Sequence, residues 1–367
     1  MKILTILDRY IIKKFLGTYI FSIVLIISIA VVFDVNERID KFISKDAPLD
    51  AIIFKYYLNF IPFYANLFSA LFVFIAVIFF TSKLANNSEI IAMLSNGMSF
   101  KRLMKPYMIS AAVIAGISFG LGSFIIPPAN KVRIDFQNKY IKDRSVTFAS
   151  GIQMQVDKDV IVYIESFDSK TGEGRNMALD HFDGKSLKSR LIARKIGYDA
   201  DSTYHWILYD YSIRSFEGMR EIITTGKQVD TLLNITPADF LVSVNDFEQM
   251  TTPQLDTYIS RQRDRGMANV GSVSIIQFEI EYYKRFASIF SAFILTIIGA
   301  SLSARKIKGG MGMNIGIGLA LSVSYILFMT VSSSFAVSGT MSPLLAVWLP
   351  NIVFSVIAAY LYTKAPN

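Results

Sequence analysis

No cysteine occurs anywhere in the 367 residues, which excludes disulfides, thiolate metal sites and a cysteine nucleophile without fixing a compartment. Histidine is nearly as scarce. His181 and His205 are too few for a histidine-rich metal centre, and neither has a sequence neighbour that completes a catalytic triad. Charge is missing from five long stretches, residues 15–33, 56–82, 106–130, 286–304 and 309–363, none of which contains Asp, Glu, Lys, Arg or His. Ion- and proton-coupled carriers need such groups near the bilayer midplane, so secondary transport is disfavoured. A Walker motif is missing too. Asp183-Gly184-Lys185-Ser186 has the ending of a phosphate loop, but Leu179 stands where its leading glycine belongs.

What is present is apolar surface. Hydrophobic residues make up 52% of the chain, 29 of them Phe, and the mean hydropathy is +0.42. That is far too apolar for one soluble domain of this size and identifies a membrane protein. A span needs roughly 20 residues, so the last uncharged stretch holds two, with a break between Ser332 and Pro343, and six transmembrane helices are predicted. The first apolar run, residues 15–33, is long, so it is read as a span and not as a removed leader.

The formal net charge of +8 lies largely at span ends, where cations set topology. Lys2, Arg9, Lys13 and Lys14 precede the first span; Lys83 to Lys105 joins spans two and three; Arg305, Lys306 and Lys308 join spans four and five. These short basic segments place both termini in the cytoplasm and residues 131–285 outside it. The predicted domains are 1–130 with three spans, 131–273 as an extracytoplasmic domain, and 274–367 with three more spans.

Residues 83–105 read as a short helix over about 86–97 held between two spans. Asn86 is placed to cap it, with Glu89 three residues on at its positive end; Ile90, Met93 and Leu94 form one apolar face, and Gly97 ends it. Ser99 then opens the next helix behind Lys101, Arg102 and Lys105. Such a helix can dock a soluble partner or simply lie on lipid. Gly116, Gly120, Gly122, Gly312, Gly316 and Gly318 suit close helix packing.

In the extracytoplasmic segment, residues 160–164, 191–196 and 206–213 are rich in β-branched and aromatic side chains and are separated by turn-forming residues 171–174, 183–186 and 216–218. No helix intervenes, so an antiparallel sandwich or open barrel is predicted and not a parallel sheet. Thr251 or Thr252 with Pro253 opens a helix that ends at Gly266, and another runs from about Ser274 into span four.

Leu7-Asp8-Arg9-Tyr10-Ile11 ahead of span one, Ser88-Glu89-Ile90-Ile91-Ala92-Met93 followed by Gly97, and Lys308-Gly309-Gly310 before span five resemble the lipopolysaccharide-export permeases of the LptF/LptG family, the LptG branch in particular. The 3+3 span layout around an inserted β domain is similar as well. The resemblance implies one half of an ABC exporter in the bacterial inner membrane, without a catalytic centre or cofactor of its own. Its implied partners are an LptF-like sister permease, a dimeric LptB-like cytoplasmic ATPase, and LptC-like and LptA-like periplasmic proteins. Lipopolysaccharide would leave the outer leaflet of the inner membrane and pass over a jelly-roll-like periplasmic domain. By position, Glu89 would sit at the ATPase with Ile90, Met93, Leu94 and Gly97, and spans one and five would gate. Arg38, Lys41, Lys131 and Arg133 would contact substrate phosphates, beside Phe33 and Phe42; the interleaved acids Asp34, Glu37 and Asp40 depart from the family pattern. The alternative is a membrane-anchored envelope scaffold whose β domain binds periplasmic partners without transport. A lipid-modifying enzyme has no paired carboxylates or nucleophile constellation to rest on.

Overall fold

The computed structural model of the chain describes residues 5–141, 148–157, 159–199, 202, 204–218, 220–240, 246–264, 269–270, 273–305 and 310–365. Gly266, Lys306, Lys308 and Gly309 lie outside the described residues. In chain order, α1 (Ile6–Ser44) leads to a π-helical stretch at Ala51–Tyr57, then α2 (Leu58–Leu67), α3 (Ser69–Asn86), α4 (Glu89–Ser95) and α5 (Phe100–Gly120). A second π-helical stretch, Leu121–Ile125, continues into α6 (Ile126–Tyr140). Six strands follow: β1 (Phe148–Asp157), β2 (Val160–Asp168), β3 (Glu173–Asp183), β4 (Ser186–Tyr198), β5 (His205–Glu217) and β6 (Arg220–Leu232). The chain continues through α7 (Pro237–Phe240), a 3-10 turn at Asp246–Gln249, α8 (Thr252–Asp264) and the two-residue strands β7 (Asn269–Val270) and β8 (Val273–Ser274). It finishes with α9 (Ile275–Ser303), α10 (Gly310–Val337) and α11 (Pro343–Thr363).

Among the described residues, six helical stretches are long and apolar enough to cross a membrane: α1, α3, Phe100–Tyr140, α9, Gly312–Val337 of α10, and α11. Contacts divide the chain into two compact units, residues 1–141 with 280–367, and residues 142–279. The helix after Pro127 runs on past residue 130, because Phe136 and Ile141 are buried with Phe42, Tyr56 and Phe60. Residues 131–141 therefore pack with the helical unit.

The second uncharged run is not one helix. It breaks at Phe68 (φ −97°, ψ 13°), leaving α3 with 18 residues. At about 1.5 Å per residue that is about 27 Å, close to the roughly 30 Å apolar thickness of a bilayer. By the same rise, the 39 residues of α1 reach about 58 Å, so its Asp34–Ser44 end extends beyond any apolar layer that holds residues 15–33.

The helical core forms where α1, α3 and α5 meet. Phe15, Phe80 and Tyr107 stack with centroids 5.3 and 5.1 Å apart, and Tyr107 and Thr81 share a hydrogen bond of 3.0 Å. Asn314 Nδ2 donates to Ser82 Oγ (3.1 Å), which ties α10 to α3. Gly318 is closely approached there: a Cβ would stand 2.0 Å from Ile78 Cδ1, so that branch would have to move. The small-residue expectation holds at Gly318 and at Gly122, whose Cβ would stand 2.9 Å from Asn66 Nδ2, and it extends to Gly299 against Val77. At Gly116, Gly120, Gly312 and Gly316, by contrast, a Cβ would meet nothing within 4 Å among the described residues.

The second unit is an antiparallel meander in which β1 to β6 each pair with the next strand in sequence. This confirms antiparallel β, although the order is sequential and lacks the crossing connections of a formal jelly roll. Met154, Val162, Ile164, Met177, Ala193, Ile196 and Leu208 are buried. Trp206 is sealed by Phe167 and Phe240, and its Nε1 donates to the Ile235 carbonyl (3.0 Å). Asp183-Gly184-Lys185-Ser186 is the β3–β4 hairpin turn, with Gly184 at φ +60°, and not a phosphate loop. Thr251 caps α8: its backbone N and Oγ1 both donate to Gln254 Oε1 (2.9 and 3.0 Å).

Candidate functional site

Three helix ends meet at α4. Asn86 does not cap this helix as the sequence suggests; it is the last residue of α3, and the turn is made by Asn87 and by Ser88 in the left-handed region (φ 61°, ψ 12°). No side chain caps α4, because the whole turn is consumed in reversing the chain within two residues. The far end behaves as expected. Gly97 takes φ +83°, its N–H donating to the Leu94 carbonyl (3.0 Å), and Ser99 Oγ accepts from the Arg102 N–H (3.3 Å) to start α5.

The apolar face of α4 is committed to the protein's own interior. Ile90 is 0% exposed among Ile11, Phe15, Leu84, Phe100, Leu103 and Met104, and Met93 and Leu94 pack against the same cluster. Burying one such side chain is worth about 1.5–3 kcal/mol, enough to seat a seven-residue helix that has no stability of its own. The opposite face, Ile91, Ala92, Ser95 and Asn96, is exposed.

Glu89 lies at the edge between these faces. Its Oε2 accepts from Tyr10 Oη (2.9 Å) and its Oε1 from Asn87 Nδ2 (3.3 Å). Two residues before Tyr10, Asp8 accepts both arms of Arg102, at 2.7 and 2.8 Å, and takes the Thr5 N–H at 2.9 Å as part of the cap of α1. The Leu7–Ile11 segment thus latches the start of α1 to α5 through Asp8 and to α4 through Tyr10. Sequence reasoning missed both roles, since the partners are 94 and 79 residues away.

A second constellation gathers where α1, the Ala51–Tyr57 stretch and α6 meet. Arg38 pairs with Asp34 (2.6 Å), which also accepts from Tyr56 Oη (3.3 Å) and Tyr57 Oη (3.1 Å). Arg133 is only 5% exposed; its Nε donates to Asn130 Oδ1 (2.7 Å) and its guanidinium lies 4.3 Å from the Phe63 ring centroid and 5.6 Å from Tyr64. Lys41 and Lys131 are exposed, as is Phe33, while Phe42 is buried. The four basic residues proposed from sequence therefore fall into two kinds, an exposed pair and a pair already held by protein groups. Tyr56, Tyr57 and Asn130 are functional-looking residues that hydropathy alone conceals, because each lies inside or beside an uncharged run.

The family model described as lipopolysaccharide export system permease LptF/LptG matches residues 9–364. No curated protein matches the chain.

Proposed function

The chain belongs to the LptF/LptG family of lipopolysaccharide export permeases, and from that premise we propose that it is the LptG-like transmembrane subunit of an ABC-type exporter in the bacterial inner membrane. Both termini and α4 face the cytoplasm, and the β domain is periplasmic. A separate LptB-like ATPase dimer docks on the exposed face of α4, beside an LptF-like sister permease. Lipopolysaccharide passes over the β domain to LptC-like and LptA-like periplasmic proteins. The chain contributes no catalytic centre.

The observation that carries this reading is the divided surface of α4. One side, Ile90 with Met93 and Leu94, is keyed into the cluster that joins α1, α3 and α5. The other side is exposed, with half-buried Glu89 at its edge. A push on the exposed side is borne by three helix ends at once, which is the geometry a coupling element needs. Glu89 and Ile91 are then the contact residues, whereas Ile90, Met93, Leu94 and Gly97 hold the helix in place. At the other constellation, Lys41 and Lys131 meet substrate phosphates as exposed cations, and Arg38 and Arg133 shape the aromatic wall behind them.

An affinity pull-down of the full chain from native membranes tests the proposal, comparing wild type with Glu89→Arg and identifying bound proteins and lipid. Co-purification of an ABC ATPase, a sister permease and lipopolysaccharide, with the ATPase lost in the variant, is the expected result. Recovery of the chain with partners indifferent to Glu89 would favour the envelope scaffold instead.

A further inference from the structure

A cavity of about 280 Å³ lies within the helical unit, enclosed by the α2–α3 break, α5, α9 and α10. Its polar lining is one-sided. Lys284 is its cation, no carboxylate lines it among the described residues, and the remaining polar groups include Asn66, Ser118, Ser288 and Thr330. Leu71 and Met329 belong to its apolar wall.

The hydroxyl donors of Ser288 and Thr330 are already used within the protein. Ser288 Oγ donates to the Arg285 carbonyl (2.7 Å) and Thr330 Oγ1 to the Ile326 carbonyl (2.9 Å), so both present lone pairs. Ser118 Oγ shares a hydrogen bond with Ser69 (3.0 Å), which shares one with Tyr19 Oη (2.9 Å). Asn66 Oδ1 is enclosed and finds no donor among the described residues, an arrangement that costs about 1–3 kcal/mol unless something else supplies one. Gly122 leaves room for this amide, since a Cβ there would stand 2.9 Å from Asn66 Nδ2. The walls are fixed as well: Tyr325 Oη donates to Asn351 Oδ1 (2.8 Å) and Asn351 Nδ2 to the Ala287 carbonyl (2.9 Å), pinning α9, α10 and α11 together.

A single ammonium, a set of acceptors awaiting donors and an apolar wall define one ligand chemistry. We propose that this cavity binds a phosphorylated amphiphile whose headgroup also donates hydrogen bonds, with the phosphate on Lys284, hydroxyl or amine donors toward Asn66, Ser288 and Thr330, and the start of one acyl chain along Leu71 and Met329. Ligand pockets commonly run from about 300 Å³ upward, so a space this small takes a headgroup fragment and not a whole lipid. Leu67 and Phe68 at the helix break are 46% and 36% exposed, and Thr330 is exposed, which leaves a way in from the outer surface of the helices. The site rests on the membrane reading of the chain and not on ATPase docking at α4. Its ligand comes either from the exported lipopolysaccharide or from resident glycerophospholipid.

The test is native mass spectrometry of the full chain, loaded with phosphatidylglycerol or with lipopolysaccharide and washed into a neutral sugar detergent. Wild type and Lys284→Arg are expected to retain about one phosphate-bearing lipid per chain, and Lys284→Gln to lose it roughly tenfold. Thr330→Trp, at an exposed position beside the mouth, is expected to block entry and lower retention as much, with the thermal midpoint measured alongside to exclude loss of fold. Retention of phosphatidylglycerol assigns the site to resident lipid; retention of lipopolysaccharide alone assigns it to cargo. No retained lipid in wild type, or retention at the wild-type level in Lys284→Gln and Thr330→Trp, would overturn the proposal. Either result leaves the pull-down through Glu89 to stand or fall separately.

Discussion

Asp8 has a side chain only 2% exposed, and Arg102 is its partner at 2.7 Å. Removing Arg102 strands that carboxylate. The partner is 35% exposed, so water screens part of the loss, and Arg102→Leu is expected to cost about 1–3 kcal/mol, read as a lowered thermal midpoint in detergent. Arg102→Lys should recover little, because one ammonium cannot reproduce the two-armed contact. Asp8→Asn combined with Arg102→Leu is expected to be less harmful than the sum of the two, by about 1 kcal/mol or more. A second residue-scale test lies at Gly318. Gly318→Ala places a methyl against Ile78 and is expected to destabilise by about 1–3 kcal/mol; adding Ile78→Val, which shortens the offending branch, should return part of that.

At the scale of the element, α4 separates packing from docking. Ile90→Ala opens a cavity in the cluster at the α1, α3 and α5 ends and is expected to cost about 2–5 kcal/mol. Ile91→Ser, on the exposed face, should leave the thermal midpoint within about a degree yet weaken ATPase co-purification. Equal melting losses for both variants would show that the exposed face also packs. Much of this element was legible in the sequence. The spacing of Ile90, Met93 and Leu94 gave its apolar face, and Gly97 and Ser99 gave its end and the next start. The entry was not legible, since Asn86 has the chemistry of a cap but the turn is made one residue later. Nor was the break at Phe68, because residues 60–80 carry no charge and Pro62, the one helix breaker among them, lies inside α2 and six residues before the break. The strands divide in the same way. β2, β4 and β5 contain the β-branched runs seen in the sequence, whereas β6 carries Arg220, Glu221, Thr224 and Thr225 on exposed positions and hides its pairing with β5 in a polar pattern. Arg133 resembles any basic residue at a span end; its enclosure by Phe63 and Tyr64 depends on a contact across about seventy residues, which no local period records.

For the whole molecule, the lack of cysteine is an experimental advantage. Ile91→Cys and Ser186→Cys each create the only thiol in the chain, at exposed positions in the helical unit and in the β3–β4 hairpin. A membrane-impermeant maleimide applied to spheroplasts is expected to label Ser186→Cys at once and Ile91→Cys only after lysis. The reverse order would invert the topology drawn from the basic loops. In the function proposed above, a push on α4 is converted into lipid extraction. This conversion is tested most directly by ATP-driven release of lipopolysaccharide from proteoliposomes that hold the chain with its sister permease and ATPase, comparing wild type with Glu89→Arg. Release is expected to fall at least tenfold in the variant while the chain keeps its fold and its lipid. Release at the wild-type rate from Glu89→Arg proteoliposomes would contradict the proposed conversion.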